Sequence, residues 1–460
     1  MIARKLTGRV KVFFRRLKYI CQNLSVHGPS YIARDDVHFI YRMVYFVFYI
    51  SVWFIAVATI CKYYGFYQEN SIRFTTRTDY LKWNTTFPSV TVCEVGSMEK
   101  MAMAAQMFGI GNSRFLKDIA FFTGTCFGCD ICKVDGECSL DFQQVALSHR
   151  AACKDFFSAC LWNGKPIQCC SYFQPLHTEY GVCFSLNNKH APGPPPLNVE
   201  FDHGRHQATL ELLMTQDHEA FLHSADDMPF WNSEYNSRML VASGYAATMV
   251  FSIMDVFNEP EVEWTSPEDR QCRFTHEIPD NMVGFQYYSY STCVTQCRID
   301  MQFELCNCTH HLSPAEYKDR YCDVNGLRCL TENFGVLSKL KVPGLNESGM
   351  ACDCMPSCTE PDYNIISKHI DIPFRLEDGK TVFSLGNRPY QRVTRQVART
   401  TLDMVVAMGN VFGLCFGGSI LSIVEVVYYL CFRRWKHVTP HLGEKHIILI
   451  LILFRLIITF

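Results

Sequence analysis

A carboxylate lies inside an apolar run near the carboxyl end of the chain, shortly after a cluster of small residues. The carboxylate is Glu425, the serine three residues before it is Ser422, and the small residues are Gly417, Gly418 and Ser419. In a helix, positions i and i+3 are neighbours, so Ser422 and Glu425 are predicted to share a face. Three small residues in a row let the backbone unwind and present carbonyl oxygens to a cation in place of its hydration shell. The pattern therefore predicts an ion-coordinating path along this run.

Two plainer interpretations of this region remain open. Gly409, Gly413 and Gly417 recur every four residues, so they could form a small-residue ridge that lets helices pack closely. Glu425 lies seven residues before the end of the run at Phe432, so its side chain could extend to a polar interface. A carboxylate within an apolar span is costly and usually functional, which favours the ion path.

Cysteine is the most unusual feature of the composition, with 24 residues in 460, of which 20 lie between Cys93 and Cys358. Because cytosolic thiols are kept reduced, this density predicts an oxidising compartment and up to ten disulfides, whose pairing the sequence does not give. The spacing Cys126-x2-Cys129-x2-Cys132 is also compatible with zinc or an iron–sulfur cluster, but disulfides are the better interpretation outside the cell. The disulfide candidates are Cys93, Cys126, Cys129, Cys132, Cys138, Cys153, Cys160, Cys169, Cys170, Cys183, Cys272, Cys293, Cys297, Cys306, Cys308, Cys322, Cys329, Cys352, Cys354 and Cys358.

The remaining polar residues do not predict a metal site, a cofactor or catalysis. His310 and His311 stand beside Cys306 and Cys308 and could bind a metal, but we expect them to be ordinary surface histidines. The sequence contains no nucleophile–base signature, no HExxH motif and no phosphate-binding loop. Its net charge of −2 does not favour a nucleic-acid partner.

Two apolar runs are long enough to cross a lipid bilayer, although a buried core helix is the alternative for each. Met43 to Cys61 holds nineteen residues without a charge. As a helix, this run would reach about 28 Å, close to the thickness of the hydrocarbon layer. Val405 to Val424 gives twenty uncharged residues within the second run. The predicted divisions are an amino-terminal segment 1–42, a first span 43–63, a cysteine-rich segment 64–402, a second span 403–432 and a tail 433–460 with an apolar end, 447–460.

The charges that flank these runs predict the orientation of the chain. Residues 1–42 carry nine Lys or Arg against two Asp, and Arg433, Arg434 and Lys436 follow the second run. Positive flanks stay in the cytosol. Both termini are therefore predicted to be cytosolic and residues 64–402 extracellular, in a protein of the plasma membrane. The glycosylation sequons on the extracellular side begin at Asn84, Asn307 and Asn346.

The pattern of the extracellular segment predicts an α+β fold. Residues 85–93, 207–215 and 244–254 are typical of strands, and residues 98–119 are typical of a helix. Cys293-x3-Cys297 places both sulfurs on one helix face. We expect a sheet core with disulfide-braced helical edges.

Several stretches resemble, in the same order, the degenerin/epithelial sodium channel family and within it the insect pickpocket-type branch. The resemblance covers residues 23 to 435 and includes the His27-Gly28 pair before the first span. The other matching stretches are FPSVTVC (87–93), CCSYFQPLHTEYGVCFSLN (169–187), RQCRF (270–274), YSYSTCVTQCR (288–298), LCNCTHHLSP (305–314), RYCDVNGLRCL (320–330), CDCMPSCTEPDY (352–363) and FGGSILSIVEVVYYL (416–430). None is unique alone, but their order together is highly specific.

The resemblance implies an acid-sensing-channel-like trimer, homomeric or heteromeric, that lies in the bilayer and conducts Na⁺ in preference to K⁺. It implies that Gly417–Ser419 form the selectivity filter, that Gly413 is the position of amiloride block and that His27 and Gly28 act in gating. The position at which bulky side chains hold family channels open falls on Val406. Small residues are usual there, so Val406 is a departure from the family pattern.

Two other classes of protein explain part of the pattern. A non-conducting, two-pass receptor or accessory subunit fits the topology but does not explain the Gly-Gly-Ser-x-x-Ser-x-x-Glu face at residues 417–425. A membrane-anchored extracellular enzyme needs a nucleophile or a metal site, and none stands out in the sequence.

Overall fold

The structure is a computed structural model, and it divides the chain into two compact units. It describes residues 17–69, 72–78, 84–107, 113–131, 140–202, 205–342, 344, 348–372, 378–387 and 391–428. One unit, here called the helical unit, comprises Met1–Ser71 and Val397–Phe460. The other, here called the sheet unit, comprises Ile72–Gln396. The predicted apolar end of the tail, 447–460, lies outside the described residues.

The amino-terminal half of the helical unit contains a short helix, α1 (Pro29–Ala33), and a long one, α2 (Phe39–Glu69). The apolar run predicted at 43–63 lies within α2, where every backbone N–H after the first turn can bond within the helix. In the most apolar 18-residue stretch of α2, 6% is buried. Bulky side chains such as Phe48 and Phe54 are exposed. Helices in the core of a soluble protein are mostly buried, so exposure of this kind favours a lipid-facing helix.

The carboxyl-terminal half of the helical unit contains α13 (Thr401–Phe416) and α14 (Ile420–Val427), numbered in chain order after the helices of the sheet unit. The axes of Thr401–Phe416 and Leu421–Val427 differ by 75°. Among the described residues, one helix is long and apolar enough to cross a membrane, and a second crossing exists if this bent pair forms one span. The two-span fold therefore stays a prediction.

The larger sheet of the sheet unit is built around the longest strand, β12 (Ala246–Asn258). Within the described residues it has eight strands in the order β1-β15-β12-β14-β9-β3-β4, with β13 also paired to β12. β12 is parallel to β14 and β15 and antiparallel to β13. The other strands are β1 (Ile72–Arg77), β3 (Phe157–Trp162), β4 (Lys165–Ile167), β9 (Thr209–Met214), β13 (Asp362–Asp371), β14 (Gly379–Asn387) and β15 (Arg392–Val397).

A second sheet, of five strands in the described residues, has the order β11-β10-β2-β6-β5. Its strands are β2 (Ser89–Glu94), β5 (Gln174–Thr178), β6 (Gly181–Leu186), β10 (His218–His223) and β11 (Arg238–Val241), and a separate ribbon joins β7 (Glu200–Asp202) to β8 (Arg205–Gln207). β2 is fully buried because it lies at the centre of this sheet. Val90 and Val92 of β2 join Leu210, Phe251 and Phe383 of the larger sheet in one apolar core.

The helices of the sheet unit form a second core. α10, the longest of them, begins at a capping box in which the hydroxyls of Ser289 and Thr292 each accept from the other residue's backbone N–H. Its Val294 packs with Phe115 and Leu327 from two other helices. The helices are α3 (Met98–Met107), α4 (Ser113–Ala120), α5 (Phe142–Ser148), α6 (Cys153–Phe156), α7 (Cys169–Tyr172), α8 (Pro260–Glu263), α9 (Pro267–Arg270), α10 (Tyr290–Cys306), α11 (Val324–Glu332) and α12 (Phe334–Leu337). Short 3-10 turns lie at Gly128–Ile131, Tyr235–Ser237 and Ala315–Arg320.

Nine disulfides connect eighteen of the predicted cysteines among the described residues. They are Cys93–Cys183, Cys126–Cys129, Cys153–Cys170, Cys160–Cys169, Cys272–Cys358, Cys293–Cys354, Cys297–Cys352, Cys306–Cys329 and Cys308–Cys322. Cys126 and Cys129 pair with each other in the structure, in keeping with the interpretation of this spacing as disulfides. Cys132 and Cys138 lie outside the described residues.

The expectation of surface histidines at His310 and His311 is wrong. Both side chains are buried, at 1% and 2% exposure. The His310 ring stacks on Trp231, and His311 Nε2 lies 2.8 Å from the Ile119 carbonyl oxygen of α4, to which it donates. The Cys308–Cys322 disulfide fixes the short loop that carries His310 and His311, so both histidines lie in the helical core. Within the described part of the chain, no group of three or more metal-binding side chains includes them.

Candidate functional site: a glycine break between two apolar helices

The predicted filter triplet lies at a break in the helical backbone. α13 ends at Phe416, and the next residue, Gly417, has φ 57° and ψ 23°. Gly417 caps the helix by donating its N–H to the Gly413 carbonyl oxygen at 2.8 Å. This left-handed conformation is costly for residues with a Cβ atom, so glycine is suited to the position. The prediction of small residues that interrupt the helix thus has a structural counterpart at Gly417.

The helix resumes at Ser419 through a second capping box. Ser419 Oγ accepts from the Ser422 N–H at 3.3 Å, and Ser422 Oγ accepts from the Ser419 N–H at 3.2 Å. The two hydroxyls thereby satisfy backbone groups that a helix start leaves unpaired. Ser419 therefore fixes the point at which α14 begins.

The glycines in and before the break differ in how much space surrounds them. A Cβ atom at Gly418 would lie 2.1 Å from Phe412 Cε1, and one at Gly413 would lie 3.6 Å from the Gly418 carbonyl oxygen. At Gly409, by contrast, nothing lies within 4 Å of such an atom. Gly409, Gly413 and Gly417 therefore do not form one continuous packing surface within this chain.

The amino-terminal segment contacts the end of α13. The His27 N–H donates to the Phe416 carbonyl oxygen at 2.9 Å. A Cβ atom at Gly417 would lie 2.3 Å from His27 Cδ2, so a larger residue there would displace the histidine. Gly28 follows at φ 111°, and its Cβ position is 2.4 Å from the Tyr49 ring. The His27-Gly28 pair thus lies against the break, although its gating role stays a prediction.

The two polar side chains of α14 meet the same amino-terminal residue. Glu425 Oε2 accepts from the Ser25 N–H at 3.1 Å and from Ser25 Oγ–H at 2.5 Å. Ser25 Oγ also lies 3.1 Å from Ser422 Oγ. The common face predicted for Ser422 and Glu425 is consistent with these contacts. Sequence reasoning missed Ser25, since nothing local to it marks a partner 400 residues away.

A small apolar cluster supports the break from behind. Val26, Ala56 and Phe416 are buried against one another, and the Phe416 ring lies 4.8 Å from that of Trp53. These residues come from the amino-terminal segment, α2 and the end of α13. Three separate parts of the chain therefore fix the position at which α13 ends.

The other predicted functional residues lie away from the break. Val406 is in the second turn of α13 and is 52% exposed. Asn84 and Asn307 are exposed, and Asn307 is the left-handed cap of α10. Asn346 lies outside the described residues. Their proposed roles in gating and glycosylation remain predictions.

The chemistry that these groups supply is that of hard oxygen donors. Backbone carbonyls at a helix break, two serine hydroxyls and one carboxylate suit an alkali-metal cation more than a soft metal or an anion. Irregular backbone at membrane depth is tolerated where it lines a water-filled path or is buried in protein. Coordination of a small cation by these groups stays a prediction.

Comparison with known proteins places the chain in a family. The family model described as "Amiloride-sensitive sodium channel" matches residues 20–429. Sodium channel protein Nach of Drosophila ananassae is 24% identical over 89% of this chain and 85% of its own length. The epithelial sodium channel subunit beta of Canis lupus familiaris is 21% identical over 58% of this chain and 46% of its own. A solved proton-activated chloride channel covers 84% of this chain and 96% of its own at 6% identity, but its TM-score of 0.26 carries no argument.

The chain belongs to the amiloride-sensitive sodium channel family, the degenerin/epithelial sodium channels, whose members are channel subunits and not enzymes. Within that family it is a subunit of the insect pickpocket type. Pickpocket protein 11 of Drosophila melanogaster is 22% identical over 60% of this chain and 54% of its own length. The resemblance seen in the sequence is therefore confirmed.

Proposed function

We propose that this chain is one subunit of a sodium-selective, amiloride-sensitive cation channel that is not gated by voltage and conducts Na⁺ passively across the plasma membrane. The observation that carries the proposal is the break at Gly417–Ser419, where an apolar helix ends, turns by 75° and resumes at a capping box.

The proposed topology uses α2 as the first span and the bent pair α13 and α14 as the second. Positive charge at both termini keeps them in the cytosol. The nine described disulfides lie in the sheet unit, where an extracellular position supplies the oxidising conditions that they need. Three α13–α14 pairs, from identical or related subunits, then surround one pore in a homotrimer or heterotrimer.

The proposed selectivity arises from close coordination at the break. With glycine at two of the three filter positions, three chains can approach one axis until their carbonyl and hydroxyl oxygens replace the water around Na⁺. A larger ion such as K⁺ fits such a ring less well, so the ring size sets the preference. The permeant ion is the only cofactor that the proposal requires.

Whole-cell recording tests the proposal. The chain is expressed alone and with related pickpocket-type subunits, and currents are measured with external Na⁺ or K⁺, with and without amiloride. We expect an inward current that is carried by Na⁺ and blocked by amiloride. No current in any combination would favour the non-conducting receptor, whereas current only in mixtures would make this chain an accessory or obligate heteromeric subunit.

The amiloride position is tested separately at Gly413. A Cβ atom there meets the Gly418 carbonyl oxygen at an ordinary contact distance of 3.6 Å, so Gly413→Ala is expected to leave the fold intact. We expect it to raise the amiloride concentration for half block. Gly409→Ala, with open space around it, is the matched control and should leave block unchanged.

A further inference from the structure

We propose that Ser25, in the amino-terminal segment, is a positioning residue that holds the carboxylate of Glu425 and thereby sets the ion preference at the inner end of the pore. This inference rests on the proposed function, because it assigns a role within that same site. It adds a residue that the sequence did not single out.

The first support is the geometry around the carboxylate. Both hydrogen bonds from Ser25, one from its N–H and one from its hydroxyl, go to Oε2 of Glu425. Among the described residues, neither bond involves Oε1, so that oxygen is left for a cation. Two donors on one oxygen fix the carboxylate in one orientation more firmly than either alone.

The second support is that Ser25 contacts the break through a second residue. Its hydroxyl oxygen lies 3.1 Å from Ser422 Oγ, which in turn accepts from the Ser419 N–H at the start of α14. A chain of hydrogen bonds therefore runs from Ser25 through Ser422 to the filter residue Ser419. Ser422 is buried, so the middle of this chain of hydrogen bonds is shielded from competition by water.

The third support is that neighbouring contacts hold Ser25 at this place. Val26 is buried beside Phe416, and the His27 N–H donates to the Phe416 carbonyl oxygen. Residues 25–27 thus make three successive contacts with the carboxyl-terminal helices. The serine is positioned by its neighbours, and its hydroxyl is free to act on Glu425.

A double-mutant cycle in recordings distinguishes positioning from a purely structural role. Ser25→Ala keeps the backbone N–H bond and removes the hydroxyl bond. Loss of a hydrogen bond to a charged group changes an equilibrium by about tenfold. The equilibrium here is between molecules in which residue 25 is bonded to Glu425 and molecules in which it is not. We expect the Na⁺/K⁺ permeability ratio to fall in Ser25→Ala, to recover in Ser25→Thr and to be insensitive to Ser25 once Glu425→Ala is present. Ser51→Ala, which removes a hydroxyl bonded to Val47 of its own helix, is the matched control and should behave as wild type.

A covalent cross-link tests the contact without requiring conduction. Ser25→Cys and Ser422→Cys are combined in a background in which Cys21, Cys61, Cys415 and Cys431 are serine. Membranes carrying the full chain are treated with copper phenanthroline. We expect a disulfide between residues 25 and 422, identified by mass spectrometry of the digested protein, and none when Ser51→Cys replaces Ser25→Cys.

The recordings and the cross-link together show whether a negative result concerns Ser25 or the channel itself. If wild type conducts but Ser25→Ala retains the wild-type ion preference, or if Ser25 and Glu425 variants are simply additive, the positioning role is overturned while the channel remains. If wild type passes no current, the channel proposal fails, and with it the role of Ser25 in ion preference. The cross-link still decides whether residue 25 contacts α14. Absence of the cross-link overturns the inference whether or not the protein conducts.

Discussion

Gly417 is constrained both by its backbone conformation and by a close neighbour. Its φ of 57° is left-handed, and its Cβ position lies 2.3 Å from His27. Gly417→Ala is therefore expected to cost about 1–2 kcal/mol of backbone strain and to displace the amino-terminal segment from α13. We predict a large loss of current at unchanged surface expression, measured by surface biotinylation together with recording.

Gly409→Ala is the control for that substitution. Gly409 has open space around it in the middle of α13, and alanine is the better helix former, so this variant should conduct as wild type. Equal currents in the two alanine variants would mean that the shape of the break at Gly417 does not matter.

His311 gives the sheet unit a dependence on pH. Burial lowers the pKa of His311 from 6.5 to about 4, and His310 shifts in the same direction for the same reason. A base whose pKa is lower in the folded than in the unfolded state contributes stability above its unfolded pKa. That stability is lost as the pH falls from about 6.5 towards about 4. For His311 the contribution is on the order of 3 kcal/mol.

The test is thermal unfolding of the full chain in detergent at pH 7 and pH 5. We predict that wild type loses stability at pH 5 and that His311→Gln loses less, because an amide can still donate to the Ile119 carbonyl oxygen without titrating. His177→Gln changes an exposed histidine and should retain the wild-type loss. An identical loss in His311→Gln would show that this ring does not carry the effect.

At the scale of elements, two disulfides attach α10 to the segment around residue 353. Cys293 and Cys297 lie one turn apart and pair with Cys354 and Cys352. Replacing Cys297 and Cys352 by serine should destabilise the sheet unit by about 2 kcal/mol. The Cys293–Cys354 disulfide still closes its 61-residue loop in this variant, so the unfolded chain regains only a short additional loop. Thermal unfolding of the oxidised protein measures this loss.

Cys61→Ser is the matched control, since Cys61 is an exposed free thiol in α2. It removes a sulfur without removing a cross-link and should leave the unfolding temperature as it is. A double serine variant that unfolded at the wild-type temperature would mean that the core around Val294 holds α10 without help from the disulfide.

At the scale of the whole molecule, features with a local period could be predicted from the sequence. The apolar run around residues 43–61, the strand before Cys93 and the helix through Cys293 and Cys297 each follow from a repeat of side chains along the chain. The oxidised state of the cysteine block likewise follows from density alone.

Contacts between distant residues could not be predicted in the same way. The pairing of the cysteines, the burial of His310 and His311 and the bond from Ser25 to Glu425 depend on how separate elements pack. Ser25 and Glu425 are 400 residues apart, and no local pattern in either segment specifies the other. The family resemblance indicated which residues matter but not that Ser25 is one of them.

The central claim is that ions cross the membrane beside the broken helix, and a thiol at the filter tests it most directly. Ser419→Cys is expressed in the subunit combination that gives wild-type current, and a charged methanethiosulfonate reagent is applied during recording. We predict rapid loss of the Na⁺ current in the variant and little change in wild type, with protection by amiloride. A variant whose thiol is shown to be modified while its current and ion preference stay the same would contradict the claim.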